Sequence, residues 1–487
     1  MINVALQVQY IFMNKVERRR LEVIKSQHLN LLELSPTPHT IFFSCVSIMF
    51  ISSINKRTTG TTTFTNINNN NIRRKCPSNS FIKIIFSLMI TSSFYVVLLE
   101  SSSFVSDFDD FNKCATYSLL LDDDNRRLDS FIFYSIGDWG VRGFAAIDGG
   151  HNFPGSAQMA VAKQMRCLAR DYRPEFIGTL GDNFYGSGVK SVDDVQWQYK
   201  WNDVYLHSSN NNSNGNSNSL QRIKWFAALG DHDHCGNVQA QIDYHNKKNY
   251  LWHLGHGHMP FYHKEFSLLS SSNHNDDEEN NKHSSSHEMW QLIVIDWVGL
   301  EGALAGGEKR RFSEQLGTFA SPEAGNEQLR WLQRVLEQGH GKYKWRVITA
   351  HRPIISASAR FENDNNAYPG ESATREALRL IIENSDVDVY INGHDHTAQH
   401  ACTERDDYGG KNKLTHYITN GIGGYELHQL VPNERRPVET IEAKNMFHGF
   451  AMHSVTKDRF QTVFIGHDGT VELELSFDKN QQKCKKQ

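Results

Sequence analysis

Five short segments contain the residues that could do chemistry, and all are rich in Gly, Asp or His. They lie at 137–140, 181–185, 230–233, 350–351 and 393–396. Together they offer carboxylates, imidazoles and one phenol, and none of them contains cysteine. Such hard oxygen and nitrogen donors suit one or two cations such as Fe, Zn or Mn better than a structural, thiolate-rich zinc site.

Each segment follows an apolar run that is typical of a buried strand. The runs span 131–136, 176–180, 225–229, 346–349 and 387–391. Ligand sites of α/β sheets form beyond the carboxyl ends of strands, so we expect the segments to meet there. A single Gly-Asp is more often turn chemistry, and a lone His-x-His is commonly a pair of surface or core histidines. Because the arrangement occurs five times, it favours one shared site over independent turns.

The ordered segments resemble the calcineurin-like metallophosphoesterases, and the tyrosine of Gly-Asp-x-x-Tyr at 181–185 narrows the resemblance to the purple acid phosphatases. Residues 230–244 and Pro-Phe-Tyr-His at 260–263 are similar to the small, tartrate-resistant type, with further matches at 328–332 and 449–451. The resemblance covers residues 131–476. It implies an α/β (α+β) fold, a four-layer αββα sandwich of the metallophosphoesterase type.

The resemblance also implies a dinuclear site at the strand carboxyl ends, with Asp182 as the bridging carboxylate. The first metal is expected to be ferric iron, because phenolate is a hard anionic donor that favours the trivalent state. Its ligands would be Asp138, Tyr185 and His396. The second metal would be divalent iron, zinc or manganese. Its ligands would be Asp231, His351 and His394.

The activity implied by the resemblance is acid phosphatase, which hydrolyses phosphate monoesters with metal-activated water. His232 is the implied catalytic residue. It would face the phosphate, as a hydrogen-bond donor to the anion or as the proton source for the leaving alkoxide. The alternative role for His232 is to orient the neighbouring Asp231.

The sequence departs from the family pattern at one ligand, since the family has Asn where this chain has Asp231. The added negative charge takes the formal charge of the implied centre from about +1 to about neutral. We therefore expect firmer retention of the divalent metal and weaker attraction for phosphate. A metal-binding protein with low turnover stays open as an alternative. So does a phosphodiesterase or nuclease, although Tyr185 disfavours it.

Composition limits the partners. The chain has 487 residues and a net charge of −4, without a long Lys/Arg stripe interleaved with aromatics, so we expect no nucleic-acid partner. Small phosphomonoesters or phosphoproteins are the expected substrates, and the expected state is a monomer. Seven cysteines form no CxxC pair and neither a disulfide scaffold nor a zinc ribbon, although one or two disulfides stay open.

Residues 1–130 are predicted to be a leader, and residues 131–480 the phosphoesterase domain. The apolar run 84–99 follows basic residues, which fits a secretory signal or a marginal membrane anchor, with a buried core helix as the alternative. An acidic linker precedes the domain. We therefore expect the secretory pathway, with a secreted, vacuolar, lysosomal or membrane-anchored product. Low-complexity insertions are predicted at 208–219, which contains a glycosylation sequon at Asn211, and at 267–286.

Periodicity predicts the elements that hold these segments. Apolar spacing predicts helices at 156–170, 326–337 and 372–383. After the His-x-His segment, alternation predicts antiparallel strands. They span 415–419, 451–455, 460–465 and 471–477. Strand–helix units followed by a β meander fit two stacked sheets between helices.

Overall fold

A computed structural model describes residues 130–141, 156–206, 219–268, 288–311, 317–406 and 412–485. The predicted leader with its apolar run 84–99, and nearly all of both predicted insertions, lie outside the described residues, so these predictions stay open. Within the described ranges, no helix has both the length and the apolar character needed to cross a membrane.

The described residues contain two seven-stranded sheets. The strands are β1 Phe131–Ile136, β2 Phe176–Leu180, β3 Lys224–Ala228, β4 Trp252–His253, β5 Tyr262–Ser267, β6 Met289–Val294, β7 Trp345–Thr349, β8 Val389–Asn392, β9 Ala398–Asp406, β10 Asn412–Asn420, β11 Thr440–Lys444, β12 Gly449–Val455, β13 Arg459–Gly466 and β14 Val471–Asp478. The first sheet has the order β14-β13-β12-β1-β2-β3-β4, and the second has the order β11-β9-β10-β8-β7-β6-β5.

Helices connect and cover these strands. They are α1 Ser156–Tyr172, a π-helical segment Trp197–Leu206, α2 Asp231–His234, α3 Val238–Lys247, α4 Trp297–Leu304, α5 Pro322–Gly339, α6 Ala359–Ala367 and α7 Pro369–Glu383. Short 3-10 turns lie at Thr318–Ala320 and Asn433–Arg435.

The two sheets share one apolar core. Ile132 of the first sheet and Leu292 and Val347 of the second belong to it. Because side chains alternate along a strand, the next residue, Ile293, faces the opposite way and packs with Leu300 of α4. Helix α1 packs beside β12 and β13. The layers are therefore helix, sheet, sheet and helix, and the predicted αββα sandwich is confirmed.

The element boundaries differ from the sequence predictions in two informative places. Helix α5 begins at Pro322, four residues before the predicted start, because the Ser321 side chain accepts a hydrogen bond from Ala324 N at 3.2 Å and proline suits the first helical position. Strand β10 is not part of the predicted meander. It lies in the second sheet, parallel to β8 and antiparallel to β9, while β12, β13 and β14 form the antiparallel meander in the first.

The parallel strands bring the five segments to one region. β1, β2 and β3 are parallel neighbours in the first sheet, and β7 and β8 are parallel neighbours in the second. The segments follow the carboxyl ends of these five strands, which is where α/β sheets build sites. The Asp138 side chain accepts a hydrogen bond from His394 N at 2.8 Å, which joins the two sets of loops directly.

A disulfide joins Cys402 of β9 to Cys484, which follows β14, with the two Cα atoms 5.8 Å apart. The bond therefore ties the segment that follows β14, the edge strand of the first sheet, to β9 of the second sheet. The sequence spacing alone did not predict this pair.

Candidate metal centre

Left-handed backbone conformations position three of the predicted site residues. Asp138, Asp182 and His394 have φ values of 59°, 51° and 64°, and Arg173 is the fourth residue other than glycine with positive φ among the described ranges. Such a conformation costs about 1–2 kcal/mol for a residue with a Cβ atom. Each of the three residues follows the end of its strand, β1, β2 or β8, by two positions, so the chain turns there.

Glycines allow the loops to approach one another closely. At Gly181, which has a φ of 89°, an added Cβ atom would lie 2.6 Å from Nδ1 of His351. At Gly230, an added Cβ atom would lie 2.1 Å from Oδ1 of Asp182. Both contacts are too short for any side chain. The Gly-Asp pattern therefore reflects close packing around the site as well as turn chemistry.

The first donor group is formed by three buried side chains. The Tyr185 hydroxyl lies 2.9 Å from Oδ1 of Asp138 and 3.2 Å from Nε2 of His396. The distance between Asp138 Oδ1 and His396 Nε2 is also 3.2 Å. Tyr425 stacks on the Tyr185 ring, with centroids 4.1 Å apart and planes 6° apart. The structure thus brings together the carboxylate, phenol and imidazole of the predicted ferric position.

The second donor group surrounds His351. Its Nε2 atom lies 2.9 Å from Oδ1 of Asp231 and 3.2 Å from Nδ1 of His394, and His394 Nδ1 is 3.3 Å from the same Asp231 oxygen. Asp182 adjoins both groups, since its Oδ1 atom is 3.4 Å from His351 Nε2 and it has a ligand atom within 4.8 Å of one of Asp138. Seven predicted ligands therefore converge within two adjoining groups.

The donor atoms fit a pair of cations. Asp231, His351 and His394 place one ligand atom each within 4.8 Å of one another, and so do Asp138, Asp182 and His351. All five residues are buried. Carboxylate, imidazole and phenol donors without a thiolate are the set that iron, zinc or manganese accepts.

Each of the three histidines is oriented by the ring nitrogen that faces away from the centre. Nδ1 of His351 donates to the Leu180 carbonyl at 2.8 Å, and Nδ1 of His396 donates to the Glu426 carbonyl. Nε2 of His394 faces Oδ2 of Asp364 at 3.4 Å. A partner on the distal nitrogen selects the tautomer, leaving the inward nitrogen free to bind a metal.

The electrostatic environment favours a cation. Burial favours the protonated form of Asp231, but Arg352 and the two neighbouring histidines outweigh burial and hold its pKa well below the ordinary value. Burial, followed by the carboxylates of Asp138 and Asp182, raises the pKa of the Tyr185 phenol well above its ordinary value. The phenolate form therefore requires a positive charge beside it.

The predicted catalytic residue, His232, lies at the mouth of the centre. Its Nδ1 atom lies 2.7 Å from the Gly186 carbonyl, and its Nε2 atom lies 4.0 Å from Oδ2 of Asp182. About a quarter of the side chain, 23%, is exposed. Burial lowers its pKa, but Asp182 and Asp231 outweigh burial and raise it. One ring nitrogen is thus anchored, while the other points toward the centre.

Asp233 is a residue that the sequence did not single out. Its Oδ2 atom accepts hydrogen bonds from the backbone N of Gly230 at 2.9 Å and from the backbone N of Asn183 at 3.0 Å. Its Oδ1 atom accepts from Gln241 Nε2 at 3.0 Å. The carboxylate thereby joins two of the site loops. The Asp-His-Asp spacing is visible in the sequence, but only the structure shows that Asp231 faces the donor group whereas Asp233 connects the loops.

Arg352 and Asp364 were also missed. Arg352 directly follows His351, and its Nη2 atom lies 3.5 Å from Oδ2 of Asp231. Asp364 lies on α6 and contacts His394, thirty residues further along the chain. Neither residue belongs to a Gly-Asp or His-x-His pattern. No local sequence signal marks them.

Known proteins are similar to this chain over about 70% of its length. Residues 133–398, more than half of the chain, match the family model described as calcineurin-like phosphoesterase, and the chain belongs to that family. Tartrate-resistant acid phosphatase type 5 of Oryctolagus cuniculus is 27% identical over 342 residues, covering 69% of this chain and 87% of that protein. Purple acid phosphatase 4 of Arabidopsis thaliana is 26% identical over 343 residues, covering 70% and 81%. The predicted resemblance to purple acid phosphatases is confirmed.

Among solved structures, GAP50, the anchor in the inner membrane complex of Plasmodium, superposes with a TM-score of 0.52. The two proteins are 20% identical, and the match covers 73% of this chain and 90% of GAP50. At this identity the similarity shows a shared fold alone.

Proposed function

We propose that this chain is an acid phosphatase that hydrolyses phosphate monoesters, small molecules or phosphoproteins, at a centre of ferric iron and a divalent metal. The divalent metal would be iron, zinc or manganese. The observation that carries the proposal is the meeting of the Asp138–Tyr185–His396 group and the Asp231–His351–His394 group around Asp182. The relatives named above support the reaction class, since both are acid phosphatases.

The assignment of metals follows from the donors. Tyr185 is the phenol, and a phenolate is a hard anion that suits the trivalent ion. The other position has two imidazoles and one carboxylate, which suit a divalent ion. When bound, the two cations supply Lewis acidity, which activates water and neutralises charge on the phosphoryl group.

The protein's own contribution to the reaction comes from His232. The Gly186 carbonyl holds one ring nitrogen, so the ring cannot turn freely. The other nitrogen faces the centre from a partly exposed position, where substrate enters. There it would donate a hydrogen bond to the phosphate or a proton to the leaving alkoxide.

We also propose that the chain enters the secretory pathway, with a secreted, vacuolar or lysosomal product. Three features support this location: the apolar run 84–99 after a basic flank, the sequon at Asn211, and the Cys402–Cys484 disulfide. Disulfides persist in oxidising compartments. Removal of N-linked glycans from the recovered protein should shift its mobility, and a species that stays with membranes would indicate an anchor.

The reaction is tested with p-nitrophenyl phosphate and bis(p-nitrophenyl) phosphate between pH 4 and 8, with the metals counted per chain. We expect the monoester to be preferred, with an acid optimum and two metals bound. Asp182→Asn should abolish turnover, because the carboxylate shared by both positions is lost. Asp193→Asn is the matched control, since Asp193 is exposed and pairs with Lys248. Preference for the bis-ester, or metal binding without turnover, would refute the proposal.

A further inference from the structure

The two carboxylate oxygens of Asp231 face different surroundings. Oδ1 points at the donor group, 2.9 Å from His351 Nε2 and 3.3 Å from His394 Nδ1. Oδ2 points away from that group and lies 3.5 Å from Nη2 of Arg352. A carboxylate can bind a cation through one oxygen or through both. Here a guanidinium stands beside the second oxygen.

Arg352 is itself held firmly. It is fully buried, and its Nη1 atom lies 3.2 Å from Oε1 of Glu301 and pairs with Oε1 of Glu371. Its carbonyl accepts a hydrogen bond from the Tyr390 hydroxyl at 2.7 Å. A buried arginine with partners on both sides keeps one geometry, because the planar guanidinium offers donors in fixed directions. The guanidinium beside Asp231 is therefore held in a fixed position.

We propose that Arg352 is a positioning residue for the divalent half of the centre. Its Nη2 atom stands beside Oδ2 of Asp231 at 3.5 Å, so that Oδ1 is the oxygen that faces the metal, and its positive charge, which is shared with Glu371, offsets part of the negative charge of Asp231. The centre then keeps the attraction for phosphate that an unpaired carboxylate would reduce. This inference rests on the proposed metal centre, and it revises the expectation that Asp231 makes the site neutral.

If the charge of Arg352 offsets that of Asp231, removal of Arg352 should change the affinities for Zn²⁺ and for phosphate in opposite directions. Without the guanidinium, Asp231 presents both oxygens and an uncompensated charge to the cation. Because a positive charge near both ligands is lost, Zn²⁺ should then bind roughly tenfold more tightly, while inorganic phosphate should bind roughly tenfold more weakly to the metal-loaded protein. Mere damage to the site would weaken both.

The experiment is a double-mutant cycle of Arg352→Met and Asp231→Asn in the full chain. Zn²⁺ affinity is measured by chelator competition, and phosphate affinity by calorimetry, so neither readout requires turnover. We expect Arg352→Met to show the opposed shifts in the Asp231 background and to show clearly smaller shifts in the Asn background, where only the direct Coulomb effect of the guanidinium remains. Equal shifts in both backgrounds, parallel weakening of both ligands, or no change would overturn the inference.

Two further variants keep the test decisive. Arg352→Lys retains a charge for Glu371 but cannot reach both partners, so it should shift both affinities in the same opposed directions by a smaller factor. It serves if Arg352→Met does not fold. Arg375→Met is the matched control, because Arg375 is also buried but bonds to the Pro353 carbonyl and to Asn365.

If the wild type binds none of Fe²⁺, Zn²⁺ and Mn²⁺, the proposed function fails as well. If it binds Zn²⁺ without coupling, only this inference fails.

Discussion

Asp364→Asn is expected to weaken Zn²⁺ binding at the divalent position about tenfold, or about 1.4 kcal/mol. The carboxylate faces the distal nitrogen of His394, whose other nitrogen points into the donor group. Such a partner orients the ring and raises its basicity, and its loss typically costs 10–100-fold in metal affinity. The contact, at 3.4 Å, is longer than an ordinary hydrogen bond, so the lower end of that range applies.

The stability of the metal-free protein should fall modestly, by a free energy comparable to the loss in metal-binding free energy. Asp364 also pairs with Arg311 and Arg360, but both arginines are partly exposed and Arg311 keeps a second contact with Glu371 at 3.6 Å. An amide keeps one acceptor oxygen of the two that Arg311 and Arg360 contact, and it loses the charge, which should cost roughly 1–2 kcal/mol in the free energy of unfolding. The melting temperature should therefore fall by only a few degrees in the metal-free protein.

The assay is chelator competition for Zn²⁺, compared with thermal unfolding of the metal-free protein. Glu362→Gln is the matched control on the same helix, because Glu362 pairs with Arg435 at the surface. It should leave Zn²⁺ affinity unchanged. The reasoning is refuted if Asp364→Asn retains Zn²⁺ within twofold of the wild type, or if both variants lose affinity equally.

Three other substitutions probe the site and its surroundings. Tyr185→Phe should remove the purple colour of phenolate-to-iron charge transfer while the ring still stacks and the fold remains, and a colourless, iron-replete wild type would contradict the ligand assignment. His232→Ala should lower kcat roughly 10²-fold with metal content nearly unchanged, whereas loss of one metal equivalent would make His232 an orienter of Asp231. Burial raises the pKa of Glu301 from 4.5 to about 7; Arg352 opposes this effect and Glu371 adds to it. Because the folded protein holds this proton more firmly than the unfolded chain does, the resulting stability is fully present below pH 4.5 and is lost as the pH rises through 7. In Glu301→Gln, the fall in the free energy of unfolding between pH 4.5 and pH 7 should be smaller than in the wild type by on the order of 3 kcal/mol. An unchanged fall would count against the raised pKa of Glu301.

Much of the site could be predicted because its residues are local to strand ends. Asp138 and Asp182 each follow a continuous apolar run, and such a run indicates a buried strand whatever its neighbours are. The parallel arrangement of those strands then brings their ends together. All seven predicted ligands lie in the two adjoining groups as a result.

The remainder depends on contacts that a single sequence does not encode locally. Asp364 contacts His394 from helix α6, which is distant in sequence from the loop that holds His394. Arg352 contacts Asp231 through Nη2 and Oδ2, and no sequence spacing predicts this contact. Strand β10 was predicted as a strand, but alternation specifies which face is buried and not which sheet the strand joins. Its pairing with β9 and β8 is decided by the packing of the whole second sheet.

The left-handed backbone at Asp138, Asp182 and His394 has an evolutionary consequence. Glycine adopts this conformation without the steric cost, so replacing any of these residues by glycine should relieve about 1 kcal/mol or more of backbone strain in the metal-free fold. Glycine would also remove hydrogen bonds that join the site loops, such as those from His394 N to Asp138 and from His232 N to Asp182. The same side chains therefore carry the backbone strain and hold the loops together, so a descendant that lost metal binding would not gain stability simply by losing them.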